Sequence, residues 1–101
     1  MEGKQAQAFL NAYSDFKEMQ DWEFSIQFYH NDEMGCPTFS SQTHIDRLII
    51  DYVEDNFIIT IFTEDNIYSF DSSNWLAFVG SEYVSFGSRH SDGTHWVIEY
   101  C

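Results

Sequence analysis

Carboxylates are the side chains best placed to do chemistry in this sequence, since they can bind metal ions, transfer protons or attract a positively charged partner. Seventeen Asp and Glu stand against four Lys and Arg, a formal net charge of -13 over 101 residues. At least thirteen carboxylates therefore face water or an external cation. Solubility needs a net charge of magnitude only about 2–8. The excess predicts attraction to a strongly positive surface.

The acids fall in short clusters along the chain. The tripeptide Glu-Asp-Asn occurs at 54–56 and again at 64–66, separated by a hydrophobic run that predicts a strand. The ends of a seven-residue strand lie roughly 20 Å apart, so these clusters form a stripe and not a point-like site. A duplex spreads its phosphates in the same way. The candidate partner-binding residues are Glu54, Asp55, Glu64, Asp65, Asp32, Glu33, Asp15, Glu18, Asp21 and Glu23.

Metal sites are a rival use for acids, histidines and cysteines. A calcium loop needs several oxygens converging in the D-x-[DN]-x-[DN]-G-x5-E pattern, which neither Glu-Asp-Asn copy fits. His30, Cys36 and His44 are ligand types, but their spacing matches no zinc pattern. His90 and His95 flank a predicted turn near Asp92 and could be neighbours there, but scattered histidines in an acidic protein are more often ordinary surface residues. We expect no metal and no cofactor.

Nucleophilic catalysis has equally little support. Cys36 lies near Asp32 and Glu33, and negative neighbours raise the pKa of a thiol, which makes it less reactive. The chain has no G-x-S-x-G, P-loop or G-x-G-x-x-G motif. We therefore expect that this protein is not an enzyme. A small hydrolase or ligand-binding domain stays open as an alternative, and it would need a concave pocket with titratable groups of shifted pKa.

The segments that position these residues begin with a predicted helix over about 4–20. Hydrophobic residues recur there at spacings of three and four, and we expect that face to pack on a sheet. Its members are Phe9, Ala12, Tyr13, Phe16 and Met19. The period then changes to two over 21–30, which predicts a half-buried strand. Its expected inward residues are Trp22, Phe24, Ile26 and Phe28.

The middle of the chain predicts an antiparallel meander. Residues 31–43 hold Gly35 and the single Pro37 and are typical of a loop, with room for a short strand at its end. Strands are then expected in 46–53, 57–63 and 67–70, joined by two similar polar turns. The second of these has hydrophobic residues on both faces, so it is expected to be central, with one side covered by the helix.

The C-terminal part combines one ambiguous segment with one clear one. Residues 71–80 predict either a short helix capped at Asp71 or Ser72 or a strand. Residues 83–89 and 94–100 flank His-Ser-Asp-Gly and predict a hairpin, with Trp96, Ile98 and Tyr100 on one face. The expected fold class is α+β: an N-terminal helix packed on an antiparallel sheet of about five or six strands, made of the meander and the hairpin.

Composition bounds the class of protein. Hydrophobic residues make up 44% and aromatic residues 19%, which excludes a disordered chain and predicts a single domain over 1–101. No apolar run reaches the roughly 20 residues of a membrane span. The N-terminal MEGKQAQAF lacks the pattern of a signal peptide, and two cysteines imply no disulfide framework. We expect a cytoplasmic location and no membrane partner.

The charge also selects among binding roles. Aromatic residues on a sheet can stack bases, but a charge of -13 repels phosphates, so direct nucleic-acid binding is not expected. In composition and size the chain resembles the DNA-mimic inhibitors and anti-CRISPR proteins of phages. That resemblance implies an inhibitor that occludes a basic nucleic-acid-binding effector or nuclease. An immunity protein that neutralises a basic toxin nuclease rests on the same physics, and a halophilic origin is the environmental alternative.

Overall fold

The computed structural model describes residues 3–30, 37–90 and 93–100. In those ranges the chain forms one α-helix followed by eight β-strands. The elements are α1 (Gly3–Glu18), β1 (Glu23–Tyr29), β2 (Phe39–His44), β3 (Arg47–Val53), β4 (Asn56–Phe62), β5 (Ile67–Asp71), β6 (Trp75–Val79), β7 (Tyr83–Ser88) and β8 (His95–Tyr100).

The strands form two antiparallel sheets. The larger sheet has the order β2-β1-β8-β7-β6, and the smaller has the order β3-β4-β5. Short connections link their edges: Ile45 and Asp46 lead from β2 to β3, and residues 72–74 lead from β5 to β6. The α+β class, the central place of β4 in the meander and the C-terminal hairpin are confirmed. The meander strands β3, β4 and β5 pair only with one another among the described residues, so the meander and the hairpin lie in different sheets.

The core lies where α1 and both sheets meet. Phe86 of β7 stacks on Phe70 of β5, with ring centroids 4.1 Å apart and planes 6° apart. The Phe86 ring also contacts Phe9 and Phe16 of α1, at centroid distances of 5.8 and 6.3 Å. Phe9, Ala12 and Phe16 are buried, as the helical period predicted. Aromatic side chains thus join three elements that have no backbone hydrogen bonds in common.

The helix also covers one strand edge. Ala77 lies in β6, whose only sheet neighbour among the described residues is β7. Gln5 of α1 accepts a hydrogen bond from the Ala77 backbone N–H at 2.8 Å and donates one to the Ala77 carbonyl at 3.3 Å. The side-chain amide thereby satisfies both backbone groups of an edge residue, which would otherwise be open to pairing with another strand.

Three local expectations are resolved or corrected. Residues 71–80 form the end of β5, a turn and β6, so the strand reading applies and the helix reading is wrong. The turn forms because Asp71 accepts hydrogen bonds from the side chains of Ser73 and Asn74 and from the Asn74 backbone. Trp22 is not inward-facing: its N–H bonds to the Met19 carbonyl at 2.9 Å, so it belongs to a turn before β1 and is 59% exposed.

The third correction concerns the two Glu-Asp-Asn copies, which were expected to make similar turns. Glu54 and Asp55 have φ of 51° and 65°, and they are the non-glycine residues with positive φ in the described ranges. Glu64 and Asp65 are described and do not share that conformation. Their turn is instead closed by Thr63, whose hydroxyl donates to the Asn66 carbonyl and accepts from the Asn66 N–H. The same tripeptide therefore occurs in two different turns, and only the second is closed by the side chain that precedes it. No helix in the described part of the chain is long and apolar enough to cross a membrane.

Candidate protein-binding surface

The carboxylates of the described residues have almost no internal counter-charge. The ion pair found there joins His44 Nε2 to Asp46 Oδ1 at 3.3 Å, and it is one only when the histidine is protonated. No Lys or Arg of the described ranges makes an ion pair with Asp or Glu. Three of the four cations contact other groups: Lys17 lies over the Tyr13 ring, Arg47 over the Phe62 ring, and Arg89 Nε donates to the Ser72 carbonyl.

The predicted turn acids lie at opposite ends of the smaller sheet. Glu54 and Asp55 connect β3 to β4, Glu64 and Asp65 connect β4 to β5, and all four are exposed. The Tyr52 hydroxyl donates to Asp55 Oδ1 at 3.1 Å, which holds that carboxylate beside an exposed ring. The two pairs lie at the two ends of β4, which itself carries no acid, and the structure does not bring them together.

The helix end is where carboxylates do come together. Asp15 and Glu18, on the last two turns of α1, line a groove of about 480 Å³ with Glu82, which precedes β7. Trp22 and Tyr100 form aromatic parts of the same groove. Asp21 and Glu23 are exposed nearby in sequence but do not line it. The groove thus combines three acids with an exposed tryptophan, the kind of side chain that often anchors protein interfaces.

Two groups in this groove have shifted pKa values. Burial, followed by the repulsion of Glu18, raises the pKa of Asp15 above its ordinary value. Burial and the negative charge of Asp15 raise the pKa of Tyr100 far above the ordinary phenol value. The Asp15 carboxylate lies near the buried Tyr100 hydroxyl, but no hydrogen bond of good geometry joins them. A cation in this groove would offset the repulsion that raises the pKa of Asp15.

Sequence reasoning found some of these residues and missed others. Asp15 and Glu18 were predicted, whereas Glu82 and Tyr100 were not, because only the packing of α1 against the larger sheet brings them close. Asp32 and Glu33 lie outside the described residues. The only sequence signal for Glu82 was its position in a short polar connection before a predicted strand.

The histidines have ordinary local partners. His95 stacks on Tyr29 with ring centroids 4.9 Å apart, and its Nδ1 lies 2.8 Å from the Gly93 carbonyl oxygen. His90 Nε2 lies 2.9 Å from Asn74 Oδ1. No group of three or more His, Cys, Asp or Glu in the described ranges could hold a metal ion.

Comparison with known proteins finds no matching family model, no matching curated protein and no matching solved structure.

Proposed function

We propose that this protein binds a basic, nucleic-acid-handling protein and occludes the surface that would otherwise hold phosphates. Its carboxylates take the place of a nucleic-acid backbone, and exposed aromatic side chains supply anchoring area. In a phage such a protein would act as a DNA-mimic inhibitor of a defence nuclease, as anti-CRISPR proteins do. The proposed role is binding, with no reaction catalysed.

The observation that carries the proposal is the missing internal counter-charge. Paired acids would have their charge offset within the fold, and they would gain little from an external cation. Here no described carboxylate makes an ion pair with Lys or Arg, although the chain carries four such cations. The negative charge is therefore not neutralised within the fold and can attract a basic surface of another protein.

The turn between β3 and β4 adds a second argument. A two-residue hairpin turn with positive φ at both positions is normally filled by Asn-Gly or Asp-Gly. Glutamate in the left-handed region costs roughly 1–2 kcal/mol. Glu54 and Asp55 occupy those positions here. Acids held where glycine would fit with less strain are consistent with a role for their charge and exposure.

Affinity capture tests the proposal. The immobilised protein is exposed to bacterial lysate that contains defence complexes, and the retained proteins are eluted with duplex DNA and identified by mass spectrometry. DNA should release retained nucleic-acid-binding proteins, because it competes for the same cationic surface. A matched column carries the Glu54→Gln, Asp55→Asn, Glu64→Gln, Asp65→Asn variant and should retain much less.

Two outcomes would contradict the proposal. One is a retained set that DNA does not release, which would place the contact away from phosphate-binding surfaces. The other is equal retention by the wild type, by the variant neutralised at the turns and by a second variant neutralised at the helix end, Glu18→Gln with Glu82→Gln. That result would show that these acids only solvate the protein.

A further inference from the structure

A second groove, of about 420 Å³, runs along β5 at the junction of the two sheets. One wall is the strand itself, from Asn66 to Phe70. The other wall is aromatic and comes from the larger sheet: Phe39 of β2, Trp75 of β6 and Trp96 of β8. Pockets of this size with aromatic walls are typical of ligand and peptide sites. The groove does not include the acidic residues of the helix end.

The β5 wall presents unpaired backbone. In the smaller sheet β5 pairs with β4 alone. Thr63 N donates to the Asn66 carbonyl and Ser72 N donates to the Phe57 carbonyl, both at 2.9 Å. Hydrogen-bonded residues alternate along an antiparallel strand, so the backbone groups of Tyr68 and Phe70 face β4.

The intervening residues, Ile67 and Ser69, therefore direct their N–H and C=O groups to the free edge. Both residues line the groove, and Ile67 is 66% exposed. In β6, Gln5 hydrogen-bonds to the Ala77 backbone, whereas no described side chain hydrogen-bonds to the backbone groups of Ile67 or Ser69. A row of unpaired backbone groups beside a groove is the arrangement that accepts an added strand from a partner.

One residue that lines the groove, Tyr68, carries an unsatisfied polar group behind the groove wall. Tyr68 is 8% exposed, and its hydroxyl is buried without a hydrogen-bond partner in the described part of the chain. Burial raises the pKa of Tyr68, and the charge of Asp65 raises it further, although Asn66 near its hydroxyl acts in the opposite direction. The hydroxyl is thus a neutral acceptor in a negative field. An occupant that donates a hydrogen bond would satisfy the hydroxyl oxygen, and a positive charge on that occupant would be attracted by Asp65.

We propose that this groove binds an extended peptide segment that pairs with the free edge of β5 and inserts an arginine side chain beside Tyr68. Binding exposes the Tyr68 hydroxyl, which is buried in the free protein. The guanidinium N–H then donates to its oxygen, and the planar face of the guanidinium stacks on the tryptophan rings. Arginine fits better than lysine because it combines a flat stacking surface with several donors. No charged residue of either sign lines the groove. The negative charge that favours a cationic occupant comes from Asp65, in the turn just before β5, and from the net charge of -13. The inference rests on the proposed function only in that the partner is basic.

Peptide titration tests the inference on the isolated protein. The probe is a capped seven-residue peptide that alternates threonine and valine around one central arginine. Binding is measured by calorimetry and by ¹H–¹⁵N spectra of the labelled protein. We expect saturation below about 1 mM, with the largest shifts at the amides of Ile67 and Ser69 and at the indoles of Trp75 and Trp96.

Three comparisons make the test specific. Citrulline in place of the arginine removes the charge at constant shape and should weaken binding about tenfold. N-methylation of alternate peptide residues should abolish binding in one register and leave it unchanged in the other, because only one set of N–H groups faces β5. Tyr68→Phe removes a hydroxyl that has no partner, so it should fold normally yet weaken binding about tenfold. Tyr83→Phe, on the exposed outer face of the larger sheet, is the control and should bind like the wild type.

The inference is overturned by absent binding, by equal binding of the citrulline peptide, by equal binding of both N-methylated peptides, or by wild-type affinity in Tyr68→Phe. Shifts at the same groove on adding single-stranded DNA would also overturn it and would indicate base stacking. The test is separate from the capture experiment. Peptide binding without a captured basic protein would contradict only the proposed function, and capture without peptide binding would contradict only the groove.

Discussion

Two aspartates at the residue scale show how local surroundings give the same side chain opposite effects on stability. Asp15 has a raised pKa because burial and Glu18 both disfavour its charged form. Burial also works against ionisation of Asp71, but hydrogen bonds from Ser73 and Asn74 outweigh it and lower that pKa. The first carboxylate is destabilising at neutral pH, and the second is stabilising. Only the second has a structural role in a turn.

The prediction at this scale is a pair of opposite pH profiles for Asp15→Asn and Asp71→Asn. A raised folded-state pKa means that the stabilisation from protonated Asp15 is present below its ordinary value of 3.8 and is lost as pH rises through the folded-state pKa. Asp15→Asn should therefore raise the melting temperature at pH 7, with the gain vanishing near pH 3.

The pH dependence for Asp71 has the opposite sign. The stabilisation from ionised Asp71 is present above its ordinary pKa of 3.8 and is lost as pH falls through the lowered folded-state pKa. Asp71→Asn should lower stability by about 1 kcal/mol at pH 7 and have little effect near pH 2. Thermal unfolding followed by circular dichroism across pH 2–7 gives both profiles. Parallel profiles for the two variants would show that their environments do not differ as described.

At the scale of elements, side chains control which strand edges stay open. Gln5 satisfies both backbone groups of Ala77 at the edge of β6, and this contact also fixes α1 to the larger sheet. The edge of β5 is left free beside the aromatic groove. Proteins normally protect exposed edges because they invite pairing with other chains. The contrast between these two edges is what makes the β5 groove a candidate for strand addition.

Gln5→Ala should test this contact. It removes two partly buried hydrogen bonds and uncovers the Ala77 backbone, so we expect a loss of about 1–3 kcal/mol in the free energy of unfolding. Gln7→Ala is the matched control, because Gln7 lies on the same helix and bonds only to exposed Asn11 among the described residues. It should change stability by less than about 0.5 kcal/mol. Urea unfolding of both variants decides this, and equal changes would mean that the Gln5 hydrogen bonds to Ala77 contribute no more to stability than the exposed Gln7 bond does.

The periodicity of hydrophobic residues predicted the helix and most strands, because the buried face of each element must be hydrophobic. The helical stripe around Phe9 and Phe16 and the alternation around Phe24 and Ile26 both mark faces that must leave water. Residues 71–80 could not be assigned, because Asp, Ser and Asn stabilise helix caps and turns by the same side-chain hydrogen bonds. Only the pairing of Trp75–Val79 with β7 settles that choice.

The candidate sites were less predictable than the fold. Exposure of the turn acids followed from their place between strands, but the groove that joins Asp15 to Glu82 depends on tertiary packing. Trp22 was expected in the core because it continues an alternating pattern, and the turn at Met19 breaks that pattern one residue before β1. The aromatic groove was not foreseen either, since its walls come from β2, β5, β6 and β8.

At the scale of the whole molecule, the charge imposes a cost that the fold tolerates. The Cα radius of gyration is 12.9 Å, so unpaired charges lie on the order of 15 Å apart. Each pair then repels by roughly 0.3 kcal/mol in unscreened water, and physiological salt reduces the sum over thirteen charges from about 20 kcal/mol to a few. A partner that supplies cations would relieve this repulsion, and long-range attraction would speed its approach.

The most direct test of the central claim is surface plasmon resonance against the captured partner at about 50 and 500 mM salt. The charge-reversed pairs are Glu54→Lys with Asp55→Lys, Glu64→Lys with Asp65→Lys, and Glu18→Lys with Glu82→Lys; all six residues are exposed. Asp51→Lys, also exposed, is the control. We predict that wild-type association slows at least about tenfold at high salt, and that at least one pair slows it at low salt far more than Asp51→Lys does. Wild-type association rates for all three pairs at both salt concentrations would contradict the claim that these acids meet the cations of a partner.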